Sequence, residues 1–262
     1  MARPLIALLT DFGLHDHYVG TMKGVILGIC PQATLVDISH DVAPQDVLGA
    51  ALALAAAYRY FPSGTIFLVV VDPGVGSRRR AIAVEAGDHR FVAPDNGVLS
   101  VALDETPPPS AVELTDPRYA RPTISKTFEG RDRFAPAAAW LANEIQLSAL
   151  GRPAASLVHL DVPRPRVQDD GVDGEVLRVD RFGNLITNVD DRMLRRISGT
   201  VSVRVGAHVI PRIVSTYADV SAGELCALVG STDRLEIAIS GGSAAATLGL
   251  GRGAVVQLRR SA

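Results

Sequence analysis

A carboxylate closes an apolar run in residues 65–80, TIFLVVVDPGVGSRRR: the β-branched stretch stops at Asp72, and a Pro-Gly-x-Gly turn and three arginines follow. Apolar on both faces and bounded by glycine and proline, such a run predicts a parallel strand covered by helices. Open α/β sheets bind ligands at the carboxyl ends of their strands, which makes Asp72 a candidate for chemistry. One of Arg78, Arg79 and Arg80 facing inward would hold Asp72 ionised and oriented, while the others suit a solvated loop. Asp11, in Thr10-Asp11-Phe12-Gly13, ends the first apolar run in the same way. An ionised carboxylate at a strand tip can accept from both hydroxyls of a vicinal diol such as ribose. Asp16, just before the helix that Tyr18 opens, is either the cap of that helix or a ligand contact.

Three more clusters could bind or react. Residues 93–97, APDNG, read as a turn, and residues 127–136, TFEGRDRFAP, concentrate charge before a helix, with Arg131 and Asp132 suited to a surface ion pair. Residues 180–188, DRFGNLITN, mix acceptors, amides and an aromatic, a combination that suits a base and an amino group. The glycine turn at 73–77 lacks the GxxxxGK[ST] and GxGxxG spacings, which argues against a triphosphate site. No metal is expected; a carboxylate site built from Asp11, Asp72 and Asp95 is the alternative.

The elements that must position these residues alternate along the first half. Strands are predicted over 5–9, 34–38 and 65–71, helices over 18–30 and 46–61, further strands over 81–85 and 90–93, and a helix over 133–147 with Trp140 as core packing. This βαβαβ order predicts an α/β domain with a mainly parallel sheet flanked by helices, over residues 1–163. Residues 160–171, LDVPRPRVQDDG, read as a connector, because prolines and alternating charges disfavour helix and central strand. Beyond it, over 172–262, seven short runs at 174–179, 185–189, 200–205, 209–214, 224–229, 235–239 and 254–258 predict a small antiparallel β-barrel or sandwich.

Composition narrows the function. With 262 residues and 47% hydrophobic content the chain can bury a real core. A formal charge of -2 and a pI near 6.3 offer no field for nucleic acid or anionic lipid, so a small molecule is the expected partner. Cys30 and Cys226 lie far apart without a CxxC or Cys/His cluster and read as buried apolar thiols. The apolar stretch at 5–9 is too short to span a membrane and lacks a cleavage site, so a cytoplasmic location is expected.

The segments LLTDFGLHDHYVGTMKGVI, VDISHDVAPQDV, FLVVVDPGVGS, VAPDNGVLS, TFEGRDRFAP and VDRFGNLITNV occur in the order seen in the S-adenosyl-L-methionine (SAM) hydroxide adenosyltransferases, and the chain resembles that family over nearly its whole length. These adenosine-forming SAM hydrolases are related to the SAM-dependent fluorinase and chlorinase. The resemblance implies an N-terminal α/β domain, a C-terminal barrel and a homotrimer with sites between subunits. It also implies hydrolysis of SAM to adenosine and L-methionine by water attacking C5', with SAM as substrate and no separate cofactor. By resemblance, Asp11 holds the ribose diol, Asp72 and Arg79 belong to an Asp-Arg-His set that activates water, and Asp16 and Tyr18 lie beside the methionine. Asp180 meets the methionine ammonium, Asn184 reads adenine, Ser231 contacts the methionine carboxylate and Phe182 forms part of the wall.

The chain departs from the family at one of those positions: where the family motif reads FHGRD, this sequence has Phe128-Glu129-Gly130-Arg131-Asp132. A neutral histidine can take a proton from water without repelling the incipient hydroxide, whereas an ionised glutamate adds negative charge. Glu129 either pairs with Arg79 or is raised by burial towards a working base. The alternative function is a catalytically weak protein that binds SAM or adenosine. Halide chemistry is disfavoured, since Asp72 would repel the anion, and Asp72, Val75, Gln45 and Gly130 stand where the fluorinase pattern has tyrosine, threonine, tryptophan and serine.

Overall fold

The strand and helix alternation predicted over 5–71 is present in the computed structural model, which describes residues 3–197 and 199–260. The chain divides between Asp161 and Val162 into two units. In the first, β1 (Leu5–Thr10), α1 (Tyr18–Ile29), β2 (Thr34–Ser39), α2 (Val47–Ala57) and β3 (Ile66–Val70) follow the expected order. β4 (Ala81–Ala86), β5 (His89–Pro94), α3 (Ser100–Leu103), β6 (Ser110–Leu114), α4 (Ala135–Ala142) and β7 (Gly151–Pro153) complete it. The sheet order is β2-β1-β3-β5-β4-β6-β7.

Parallel pairing joins β2, β1, β3 and β5, whereas β5-β4, β4-β6 and β6-β7 are antiparallel. The sheet is therefore mixed rather than mainly parallel. β4 and β5 are joined by a tight turn at residues 87–88, and a hairpin can only pair antiparallel strands. β6 and β7 escaped the sequence reading because each is short and sits towards the sheet edge, where apolar alternation is weakest. The helix expected over 133–147 is shorter: residues 130–134 form a π-turn, and α4 ends at Ala142.

Alternation along the strands sends each face to its own core. Ile6, Leu8, Ile66 and Leu68 pack with Met22 and Ile26 of α1 and the alanines of α4. Ala7, Leu9, Phe67 and Val69 pack on the other face with Ala50 and Leu54 of α2, and Phe67 stacks on Phe91 at 5.2 Å between ring centroids. α1 thus covers one face and α2 the other, so the chain reverses its winding between β1 and β3. That is the position at which α/β sheets open a crevice. Thr10 pairs with Val70, so Asp11 lies level with Val71 and Asp72 follows one residue on, both at this switch point. Cys30 and Cys226 are buried free thiols, and Trp140 is half-buried with its ring edge-on to Tyr119.

The second unit holds β8 (Arg166–Gln168), β9 (Gly171–Val179), β10 (Leu185–Asp190), α5 (Asp191–Leu194), β11 (Val201–Val205), β12 (His208–Ile210), β13 (Ile213–Val214), β14 (Leu225–Val229), β15 (Arg234–Ile239), α6 (Ala244–Leu248) and β16 (Val255–Arg260). Its sheet runs β12-β11-β16-β9-β10-β15-β14-β13, with β8 paired to β9, and curls into a nearly closed, barrel-like form around Val176, Leu185, Val203, Ile237 and Leu258. Pairing is antiparallel except between β13 and β14. The run expected over 209–214 is broken at Pro211, and the segment read as a connector contains β8. No described helix is long and apolar enough to cross a membrane.

The turn after β3 depends on one glycine. Gly76 has φ +76°, and a Cβ there would collide with the Lys126 carbonyl. Gly76→Ala is expected to lower stability by about 2 kcal/mol in urea denaturation, whereas Gly20→Ala, on α1 with open space around the added methyl, should raise it by about 0.5–1 kcal/mol.

Candidate active site

Alternation carries Asp72 to the α1/α4 side of the sheet, and there it meets Arg79. The Asp72 carboxylate accepts from Arg79 Nε at 2.9 Å and from Arg79 Nη2. The turn between them is closed by Val75 N–H donating to the Asp72 carbonyl at 3.2 Å and by Arg79 N–H donating to Ser77 Oγ at 3.2 Å. Gly74 lies against this pair, since a Cβ there would stand 3.2 Å from Arg79 Cγ. Of the three arginines, Arg79 faces inward; Arg80 pairs with Asp95.

The same guanidinium reaches a second acid. Glu129 Oε2 lies 2.7 Å from Arg79 Nη2, and Arg133 Nε follows at 3.9 Å. The side chains of Asp72, Arg79 and Glu129 are 4, 10 and 13% exposed, so water screens them little. Arg79 also lies over the Phe134 ring at 5.2 Å. Burial opposes its charge, but Asp72 and then Glu129 outweigh that and hold its pKa above that of an ordinary arginine. The cluster is two acids bridged by Arg79, with Arg133 at the outer side of Glu129, and of the two roles open to Glu129 it takes the Arg79 partnership.

The loop that supplies Glu129 enters α4 through the π-turn Gly130–Phe134, a helical irregularity often found at functional sites. Asp132, which the sequence suggested as half of a surface pair, is fully buried. It accepts from Ser125 N–H at 2.9 Å and from Arg131 at 2.7 Å, with Arg121 at 3.2 Å. Gly130 sits among Met22, Phe128 and Phe12. Tyr18 meets Phe128 edge-on at 5.0 Å and Phe12 at 5.7 Å, so an aromatic cluster ties the segments after β1 and before α4 together.

Asp11 points towards the α2 side, where its Oδ2 accepts from Gln45 N–H at 2.8 Å. Gln45 has φ +66°, an unusual conformation for a side-chain-bearing residue, held here by the carboxylate. Asp16 is exposed and does not cap α1: the cap position falls on His17, without a side-chain hydrogen bond. Val75 is partly exposed at the Asp72 turn. Asp11, Asp72 and Asp95 have separate partners, and among the described residues no cluster of His, Cys, Asp and Glu has the arrangement of a metal site.

In the second unit Asp180 organises its own turn. Its Oδ1 accepts from Phe182 N–H and Asn184 N–H, and its Oδ2 from Asn184 Nδ2, all at 2.9 Å. Phe182 is largely exposed while Asn184 is buried. Ser231 is exposed in the β14–β15 turn, at the Asp190 end of the β10–β15 pair, whereas the Asp180 turn lies at the Leu185 end.

Sequence reasoning passed over four polar residues. Glu236 is buried in β15 and accepts a hydrogen bond from Tyr217 Oη; burial pushes its pKa up, and Asp180 adds to this against the Tyr217 bond. The signal was visible, a lone acid in the apolar run RLEIAI. Thr10 and His40, both buried beside Asp11, carried no comparable signal.

Comparison with known proteins agrees with this layout. Residues 6–151 match the SAM hydroxide adenosyltransferase N-terminal domain and residues 174–257 its C-terminal domain. The chain is 42% identical to the (R)-S-adenosyl-L-methionine hydrolase of Salinispora tropica, covering 94% of each chain. It is 41% identical to that of Thermus thermophilus, covering 97% of this chain and 98% of the relative. An uncharacterized conserved protein from Thermotoga maritima has a crystal structure that superposes with TM-score 0.91 at 39% identity, covering 97% of this chain and all of that one.

Asp132 makes the π-turn acid-sensitive. Burial favours its neutral form, but Arg131, the Ser125 N–H and Arg121 outweigh this and hold its carboxyl below the usual range. The folded state therefore binds the proton less readily than the unfolded state, and the stabilisation is present above about pH 4 and lost as pH falls below it. Asp132→Asn is expected to cost about 2–3 kcal/mol at pH 7, with the gap to wild type closing between pH 4 and 3 in urea titrations.

Proposed function

The chain belongs to the SAM hydroxide adenosyltransferase family, and we propose that it hydrolyses SAM to adenosine and L-methionine. The observation that carries this reading is the Asp72–Arg79 pair at the β1/β3 switch point, with Asp11 beside it. Asp11 takes the ribose hydroxyls, and Asp72 faces the water that attacks C5' in line with the C5'–S bond.

The oxygen of water bonds to C5', the C5'–S electrons pass to sulfur, and methionine leaves as a neutral thioether. The water proton departs through Asp72 to solvent. Methionine needs no acid to assist it, and the sulfonium supplies the driving force that a cofactor would otherwise provide. Fixing water and C5' in line can contribute about 7–11 kcal/mol. As the bond breaks, positive charge moves from sulfur to the attacking oxygen. A carboxylate on the water side interacts more strongly with the transition state than with the ground state, which is the condition for catalysis.

Arg79 keeps Asp72 turned towards the water, and Glu129 anchors Arg79 from its other side. Gln45, Val75 and Gly130 line the same pole with Asp16 and Tyr18 at the methionine end. Asp180, Phe182 and Asn184 are assigned by resemblance to the ammonium and adenine ends, and Ser231 to the methionine carboxylate. Assembly into a homotrimer and a cytoplasmic location complete the proposal.

A second reading, a protein that binds SAM but turns it over slowly, is favoured by one observation: Glu129 is engaged with Arg79 where the family has a histidine. Incubation with SAM in oxygen-18 water should give adenosine and methionine in equal amounts with the label in the nucleoside; neither product above background would remove the hydrolase reading. Asp72→Asn should lower kcat by about 100- to 10,000-fold. Glu129→His is expected to lower kcat as well, because Arg79 loses its second acid, and a rise would support the slow binder.

A further inference from the structure

We propose that His40 is a positioning residue that fixes Asp11 for the ribose diol, through a relay that runs from buried Thr10 and His40 out to the partly exposed Asp37 and Lys23. The proposal rests on the reading of Asp11 as the ribose ligand. Lys23 Nζ, on α1, lies 2.7 Å from Asp37 Oδ2, on β2. Asp37 Oδ1 lies 3.0 Å from His40 Nε2, and His40 Nδ1 lies 2.8 Å from Thr10 Oγ1, at the end of β1. Thr10 Oγ1 also accepts from Phe12 N–H at 3.3 Å, and Gly13 N–H donates to the His40 carbonyl at 2.8 Å. Asp11 is thus bracketed: the residue before it, the residue after it and Gly13 all bond within a relay centred on His40.

Thr10 Oγ1 accepts from Phe12 N–H and shares a hydrogen with His40 Nδ1, while His40 Nε2 faces the Asp37 carboxylate. Acid, imidazole and hydroxyl in a line resemble a nucleophile with its base. Thr10 is fully buried, however, so its hydroxyl has no access to a substrate and serves to hold backbone instead. His40 is 4% exposed, with its two ring nitrogens turned to Thr10 and Asp37. On the far side, Gln45 N–H engages Asp11 Oδ2 at 2.8 Å. The carboxylate is held from both ends, with its plane set before a ligand arrives, which lowers the entropic penalty of bidentate diol binding.

Calorimetric titration of the full chain with adenosine and with 2',3'-dideoxyadenosine tests this. Wild type should bind adenosine the more tightly. His40→Ala should weaken adenosine about tenfold and change dideoxyadenosine less than twofold, and Thr10→Val, which removes only the hydroxyl, should act the same way with the fold retained. Equal weakening of both nucleosides in both variants, or unchanged discrimination, would overturn the role of His40 while leaving Asp11 as the diol ligand. A wild type that binds both nucleosides equally would overturn the Asp11 reading and this proposal with it.

Discussion

Two acids share one guanidinium near the floor of the switch-point crevice, and much of the first unit is arranged to keep that contact. Asp72 and Glu129 are both nearly buried, and an ionised carboxylate in such a place requires a counter-charge. Arg79 supplies it to both. Glycines at 74 and 76 let the turn bend back so that residue 79 reaches residue 72, and Phe134, at the end of the π-turn, gives the guanidinium a flat surface. Arg133 approaches Glu129 from its other side, so the two acids face two guanidiniums, and only Arg79 touches both carboxylates.

The sheet explains why Asp11 and Asp72 can divide the labour. They leave neighbouring parallel strands one residue out of register, Asp11 being level with Val71, and therefore differ in parity, so one carboxylate turns towards α2 and the other towards α1 and α4. On the proposed function, a ligand lying across the strand ends would meet the diol acceptor and the water acceptor on different sides, so the two would not compete for one position. Each carboxylate is held by a different device: Asp72 by a charged fork, Asp11 by backbone N–H and the relay through His40.

What the amino-acid sequence revealed follows from how strongly each signal is tied to burial. β1 and β3 were legible because both faces are buried, leaving unbroken apolar runs that end sharply in an acid. β6, β7 and β8 were not, since three- to five-residue strands near an edge or beside prolines carry almost no periodicity. Asp72, Arg79 and Glu129 come together from segments some fifty residues apart, and only the motif order linked them beforehand. Arg131 and Asp132 looked like a solvated pair because adjacent opposite charges usually are; the π-turn rotates Asp132 inward instead. His40 stayed hidden because its partners, Thr10 and Asp37, lie on two strands whose pairing the sequence does not spell out.

The Asp180 turn shows how a side chain's existing bonds decide what it can still recognise. Asp180 accepts three hydrogen bonds from its own loop, and with about four lone-pair directions on a carboxylate it keeps room for one more donor. One N–H of an ammonium fits that vacancy, whereas a bidentate guanidinium would not. Asn184 is oriented by the same network: its amide nitrogen donates to Asp180, so its carbonyl is the end turned to a ligand. A carbonyl asks for a donor. A 6-amino purine presents one on its edge, while a 6-oxo purine places an acceptor there and leaves the buried amide oxygen unpaired, a loss of about 1–3 kcal/mol. On the proposed assignment of Asn184 to the base, a preference for a 6-amino over a 6-oxo purine would be set by Asp180 through the orientation it gives the amide.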